Sequence, residues 1–418
     1  MRNVLIICGS FPPQSFVGGL RPAMFAKYLR DFGWNPYILT RDFSQEDPRY
    51  DEKMPIELPN EILNQIFRVK YSLNDEQRYL NSRTIISKMR DFFYPEYSNP
   101  PGLYFEIKDA AAKIIHTISF DLIFVTVPDL WTVTLGSKIA KKHDIPFIVD
   151  FRDIHEQEKG LKRSFREWLQ VKRFYLRRYV STRRCNHITT VSKYHRAILS
   201  KRLRRECSII YNGYDEKIFY QMGLTLSSKD TFRIVYVGRI LNTWYRNPHL
   251  LFKAADELIK EGIINANDIS IEFYGSEKSK LDILLREMEN HNIVKFFPRI
   301  PYLEVPYVLS KSQVALLLTN QGRKGILTTK LFEYIGVKKP ILCIPGDNNE
   351  LDSIIEYYGI GLSISDLQVL KNKLVQWISS FKAGDYPTHV QSSVDFFSRR
   401  SQTKILAVVF NKISGLIE

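Results

Sequence analysis

Residues 325–342 read GILTTKLFEYIGVKKPIL. Thr328 and Thr329 stand where a helix begins, and Lys339-Pro340-Ile341-Leu342 opens a short apolar strand. A helix that delivers the chain straight into such a strand is half of a β-α-β unit. At the start of that helix, backbone amides and the positive end of the dipole suit a diphosphate. Glu333 falls in the next turn, within reach of ribose hydroxyls. A capped helix carrying a solvated glutamate fits the same residues.

The pattern extends in both directions from this stretch. Before and after it, apolar runs recur at Arg233–Val237, Ser270–Tyr274, Val294–Phe297, Val314–Leu318 and Gly361–Ile364. The first half carries runs at Val4–Cys8, Pro36–Thr40, Ile66–Val69, Asp121–Val127, Pro146–Asp150, His187–Val191 and Ser208–Tyr211. They are continuous rather than alternating, as strands covered on both faces are. Helical patterns lie between them, among them Pro22–Phe32 and Thr132–Lys142, so the expected class is α/β with parallel sheets. The polar stretch 216–231 separates two such arrays. This gives a first domain over 1–218, a second over 219–395, and a last helix from about Phe396 to Ile413.

With 418 residues the chain is long enough for two or three domains. Its 44% hydrophobic and 25% charged residues are those of a globular protein. The start, MRNVLIICGS, has too short an apolar run for a membrane span, and no signal peptide is expected. Cys8, Cys185, Cys207 and Cys343 lack metal-ligand spacing, which fits a reducing cytoplasm. The net charge of +15 is concentrated: residues 159–205 hold 16 Lys and Arg against a single acid, Glu167. Such focused charge implies an anionic partner. Within the expected helix Lys162–Arg184, Phe165, Trp168, Leu169, Tyr175, Leu176 and Tyr179 recur at helical spacing and read as ordinary core contact. A second basic cluster, Lys201-Arg202-Leu203-Arg204-Arg205, follows.

Several strand ends carry candidate chemistry. Gly9-Ser10-Phe11-Pro12-Pro13 and Gly18-Gly19-Leu20-Arg21-Pro22 join the first strand to a helix and offer amides to a phosphate; a plain βα turn explains them too. The spacing is not G-x-G-x-x-G, which argues against a dinucleotide site. Val237-Gly238-Arg239 and Gly275-Ser276 close two strands of the second array. Asp150-Phe151-Arg152-Asp153 closes another in the first, with His155 just beyond. Strand carboxyl ends face the ligand in open α/β sheets. Asp153 is therefore an acceptor or catalytic candidate and His155 the next, with an Asp–Arg structural pair as the alternative. Pro128-Asp129-Leu130-Trp131 suits an acceptor pocket, or else a helix cap beside a core tryptophan.

Taken in order, FPP…GG, DFRD, TVS, IIYNGYD, YVGR and KLFEYI…KKPIL resemble the GT-B glycosyltransferases, and most of all glycosyltransferase family 4, the retaining enzymes of bacterial cell-surface polysaccharide synthesis. The resemblance implies two Rossmann-like domains facing a central cleft, acceptor domain first, with the last helix crossing back to it. It implies that Gly18 and Gly19 line the donor phosphates and acceptor, and that Arg239 reaches the donor diphosphate with Arg246 as its basic partner. Gly275, Thr328, Thr329 and Lys330 join them on the donor side, and Glu333 holds the ribose. The family's first paired glutamate is replaced here by Gly325. The implied activity is transfer of a sugar from a nucleotide-sugar, UDP-sugar before GDP-sugar, to a glycan or lipid-linked acceptor, with retention. No cofactor and no metal are expected, since no Asp-x-Asp pair stands at a strand end. The basic segment then faces an anionic membrane at the cytoplasmic side. A sugar-nucleotide epimerase or a phosphorylase on the same fold is the nearest alternative. A nucleic-acid-binding protein is a further one, although no nucleic-acid-binding motif accompanies the basic segment.

Overall fold

The computed structural model describes residues 1–13, 17–42, 56–97, 100–158, 164–219, 231–319, 323–386 and 394–415. The chain forms two compact units. One is Met1–Tyr211 with Arg399–Glu418, the other Asn212–Ser398. The sequence places these crossings at 218 and 395. Hydrogen bonding places them at 211 and 398, because the Tyr211 amide still donates to Gln402 Oε1 at 2.8 Å while the Tyr214 amide donates to the Phe397 carbonyl at 3.2 Å.

Among the described residues the first unit holds seven strands: β1 (Arg2–Cys8), β2 (Trp34–Asp42), β3 (Ile66–Lys70), β4 (Leu122–Val127), β5 (Phe147–Phe151), β6 (His187–Thr190) and β7 (Cys207–Ile209). They lie in the order β3-β2-β1-β4-β5-β6-β7, with all pairs parallel. The described residues of the second unit hold six: β8 (Phe232–Val237), β9 (Ile269–Tyr274), β10 (Val294–Phe297), β11 (Val314–Leu318), β12 (Ile341–Ile344) and β13 (Gly361–Ser363). Their order is β10-β9-β8-β11-β12-β13, again parallel. Central strands such as β4 and β11 are buried at every residue, which is why their sequences are unbroken apolar runs.

In each sheet the chain starts at the middle, builds outward to one side, then returns to build the other. The direction reverses between β1 and β4 and between β8 and β11. Such reversal points open a crevice beyond the strand carboxyl ends, where ligands of these folds bind.

The last helix, Arg399–Ile413, packs on the Leu20–Leu29 helix of the first unit. The Phe410 ring meets Trp34 edge-on at 5.3 Å and tilts on Phe124 at 5.3 Å, and Trp34 Nε1 donates to Asn411 at 2.9 Å.

The basic helix runs over Phe165–Thr182 and corrects one expectation. Phe165, Trp168, Leu176 and Tyr179 face solvent, while Arg178, Ser181 and Thr182 are buried. Leu169, Phe174 and Tyr175 are half-buried, and the most buried contacts of the helix are polar. Arg178 makes two bonds to Glu156, at 2.6 and 3.1 Å, and Ser181 meets Thr134 at 3.0 Å. Not all the basic charge is free either: Arg177 pairs with buried Glu96, and Arg202 lies 3.4 Å from Glu156. Lys162 and Arg163 lie outside the described residues.

Candidate functional site

In the second unit the reversal point brings the end of β8 beside the helix Thr329–Val337. Gly238 has φ +137°, in the half of the map that side chains avoid. A Cβ built there would lie 2.3 Å from Cε and 2.5 Å from Nζ of Lys330. The lysine therefore lies directly over the glycine, its ammonium 5.6 Å from the Tyr236 ring centre. The turn is fixed on every side. The Gly238 amide donates to the Tyr274 carbonyl at 2.8 Å, Ser276 Oγ donates to the Gly238 carbonyl at 2.6 Å, and the Val237 amide donates to the Tyr334 hydroxyl at 3.2 Å. Burial raises the Tyr334 phenol well above its ordinary range, so it stays a neutral anchor.

Arg239, next in the chain, is exposed. Arg246 turns back to donate to the Arg239 carbonyl at 3.0 Å and reaches the Tyr236 hydroxyl at 3.5 Å. Three cations, Lys330, Arg239 and Arg246, thus cluster around the carboxyl end of β8. Gly275, at the end of β9, has φ +83°, and its amide donates to the Phe297 carbonyl at 3.0 Å. Thr328 is the cap residue of the Thr329–Val337 helix, yet its hydroxyl makes no cap bond; its buried Oγ1 has no hydrogen-bond partner among the described residues. Thr329 supplies the first helical residue, and Glu333 lies half-buried one turn on. Of these, sequence reasoning overlooked Tyr236, whose ring on β8 lies 5.6 Å from the Lys330 ammonium, and Tyr334, whose hydroxyl reaches the Val237 amide from the Thr329–Val337 helix.

In the first unit the reversal point joins Gly9 to Asp129. A Cβ on Gly9 would fall 1.7 Å from Asp129 Oδ2, so the carboxylate occupies the space a side chain would need. Asp129 precedes the Leu130–His143 helix without capping it, and Trp131 is buried in the core. Gly18 and Gly19 close a short 3-10 turn. Gly19 sits where a Cβ would press on the Phe11 backbone at 3.3 Å, and the Gly18 carbonyl accepts from Arg152. Arg152 also donates to the Val127 carbonyl at 2.9 Å, tying the ends of β4 and β5 to the glycine loop. Burial pulls its guanidinium below the ordinary value, with Asp153 and Asp150 opposing.

The two aspartates of the DFRD stretch diverge. Asp150 is fully buried in a bidentate pair with Arg21, at 2.9 and 2.8 Å, and also accepts from Thr189 at 2.8 Å. Asp153 is exposed beyond the strand end. His155 opens the 3-10 turn His155–Glu158 and packs edge-on against Phe174 at 4.5 Å. Nearby His195 is buried and meets Gln157 at 3.2 Å; burial holds its imidazole down to about 4. Among the described residues no group of three or more His, Cys, Asp or Glu is placed to hold a metal ion. Nor, among them, is any helix long and apolar enough to cross a membrane.

Residues 23–217 match the family model described as Glycosyltransferase Family 4. Among solved structures, sucrose-phosphate synthase from Thermosynechococcus elongatus is similar with a TM-score of 0.62 at 12% identity, over 99% of this chain and 96% of that one. HepE of Anabaena, solved in complex with UDP, gives 0.58 at 13% identity over 99% and 98%. The lipopolysaccharide outer core galactosyltransferase WaaB in its apo form gives 0.52 at 12% identity over 98% and 99%. No curated protein matches the chain in sequence.

Proposed function

We propose that the chain, which has the GT-B fold and matches the Glycosyltransferase Family 4 model over residues 23–217, is a glycosyltransferase that moves a sugar from a nucleotide-sugar donor to a glycan or lipid-linked acceptor in cell-surface polysaccharide synthesis, with retention at the anomeric carbon. The second unit takes the donor. The observation that carries this is the seat of Lys330 over Gly238, beside Arg239 and Arg246 and at the start of the Thr329–Val337 helix. Three cations and a helix N-terminus at a sheet reversal point make a diphosphate cradle. Glu333 accepts from the ribose. UDP is the favoured nucleotide and GDP the next; the fold neighbour HepE was solved with UDP.

In the transfer the bond from the anomeric carbon to the diphosphate oxygen breaks, and a bond from that carbon to the acceptor oxygen forms on the same face. The acceptor proton passes to the departing diphosphate. The cations and helix amides stabilise negative charge as it grows on that group, and this preorganised field is the main protein contribution. No cofactor is required by this scheme. The first unit takes the acceptor, with Asp153 and His155 at the end of β5 as the polar groups that align its hydroxyl. The basic segment 159–205 brings the enzyme to the anionic cytoplasmic face of a membrane.

A thermal-shift series with UDP, GDP, ADP and dTDP tests the donor assignment. Ligand at about 100 times its Kd stabilises the folded state by about 2.7 kcal/mol. UDP is expected to give the largest shift. No shift with any of the four nucleotides removes the donor site from the second unit.

A further inference from the structure

Two helices of the first unit are built inside out. The Ile85–Phe93 helix places Ile85, Ile86, Met89, Phe92 and Phe93 on one stripe, at the spacing of a helix face. That stripe faces solvent, with Ile86 80% and Met89 59% exposed. The face turned inward carries buried Asp91, which accepts from the Tyr79 hydroxyl at 3.0 Å and from Arg90 at 3.0 Å. The Phe165–Thr182 helix repeats the inversion, with Phe165 78% exposed and stacked on Trp168 at 5.8 Å. The two helices form one surface. Arg173 lies over the Phe92 ring at 4.0 Å, Arg177 over Tyr94 at 4.3 Å, and Arg177 bonds Glu96 at 3.1 Å.

We propose that this joined face is a membrane-docking surface, in which the outward stripe of the Ile85–Phe93 helix and the Phe165–Trp168 pair enter the headgroup region of an anionic bilayer. The proposal rests on the membrane reading above and adds the apolar component that charge alone lacks. Helices that lie in the interfacial plane combine an apolar face with flanking bases, and aromatic rings settle at that depth. Exposed Lys88, Arg166 and Lys172 supply the bases here. The acids of the surface are mostly consumed within it: Asp91 and Glu96 are buried in pairs, and Glu167 is engaged by Ser164 in a capping box. A second copy of the chain fits poorly. A two-fold contact sets each patch against itself and would bring Lys88, Arg166 and Lys172 towards their own counterparts.

The test is co-sedimentation of the full chain with vesicles of phosphatidylcholine alone and of phosphatidylcholine mixed with phosphatidylglycerol, at low and high salt. Wild type is expected to bind the anionic vesicles and to keep part of that binding at high salt. Ile86→Gln with Met89→Gln removes apolar contact from exposed positions, and about tenfold weaker partitioning is expected at both salt levels. Lys88→Gln with Lys172→Gln should weaken binding about 30-fold at low salt and far less at high salt. UDP affinity, measured in parallel, is expected to be unchanged in all variants, which separates failure here from failure of the donor assignment. Wild type that ignores anionic vesicles overturns the proposal together with the membrane reading. Wild-type binding that high salt abolishes and Ile86→Gln/Met89→Gln leaves intact overturns the insertion alone. So does a concentration-dependent dimer abolished by that variant while its vesicle binding is unaltered.

Discussion

Gly238→Ala is expected to damage donor binding through its neighbour rather than through itself. The new methyl falls 2.3 Å from Lys330 Cε, well inside contact distance, so the lysine must leave its seat over the turn. The backbone also stays at φ +137°, where an alanine is strained by about 1–3 kcal/mol. If Lys330 pairs with a donor phosphate, the lost charge-assisted bond is worth about 1.5–3 kcal/mol. That is roughly a 10-fold to 150-fold weaker Kd for UDP. Isothermal titration with UDP, alongside urea unfolding, reads the two costs separately. Lys330→Ala should show the affinity loss without the stability loss. The double variant should bind UDP no worse than Lys330→Ala, since both changes remove one interaction. Additive losses in the double variant, or unchanged UDP affinity in Lys330→Ala, would refute the reasoning.

Glu333→Ala should cost about 1.5–3 kcal/mol of UDP binding with little change in melting temperature; titration showing wild-type affinity takes Glu333 out of the site. Arg21→Met strips Asp150 of its bidentate partner in a fully buried position, and urea unfolding should show the first unit destabilised by about 3–5 kcal/mol. His195 gives the fold an acid-sensitive arm. Its imidazole is held down to about 4 by burial, against 6.5 when unfolded, so the unfolded chain takes up the proton first. The stability this group contributes is complete above about pH 6.5 and is lost as pH falls toward 4, by about 3 kcal/mol in all. Urea midpoints collected across that window should flatten in His195→Gln; an unchanged slope would show that the buried imidazole does not titrate there.

The strands were legible because their chemistry is local and uniform. β4 and β11 are covered on both faces, so no residue in them needs to be polar, and an unbroken apolar run follows. The residues proposed for the donor site were legible as types at strand ends, since glycine, arginine and a helix start each suit phosphate chemistry. What joins them was not. The Lys330–Gly238 seat depends on one positive φ, and the Arg21–Asp150 pair spans 129 positions. Within DFRD the sequence offers two carboxylates; only the pairing with Arg21 distinguishes buried Asp150 from exposed Asp153. Helical periodicity finds an apolar stripe without saying which way it faces. Phe165, Trp168 and Leu176 therefore read as core, whereas they face solvent and the buried residues of the helix are Arg178, Ser181 and Thr182.

The return of the Arg399–Ile413 helix also sets an order of events on the ribosome. Trp34 and Phe124 are synthesised early, but the ring that covers both belongs to Phe410. Until that residue emerges, the early part of the chain carries an open apolar patch, even though all seven of its strands have long been made. The later-made Asn212–Ser398 unit is continuous in sequence, and its main core cluster is drawn from within that span, so it can close that core first. Synthesis order and maturation order are thus reversed, and the waiting half is the part of the nascent protein most in need of a chaperone.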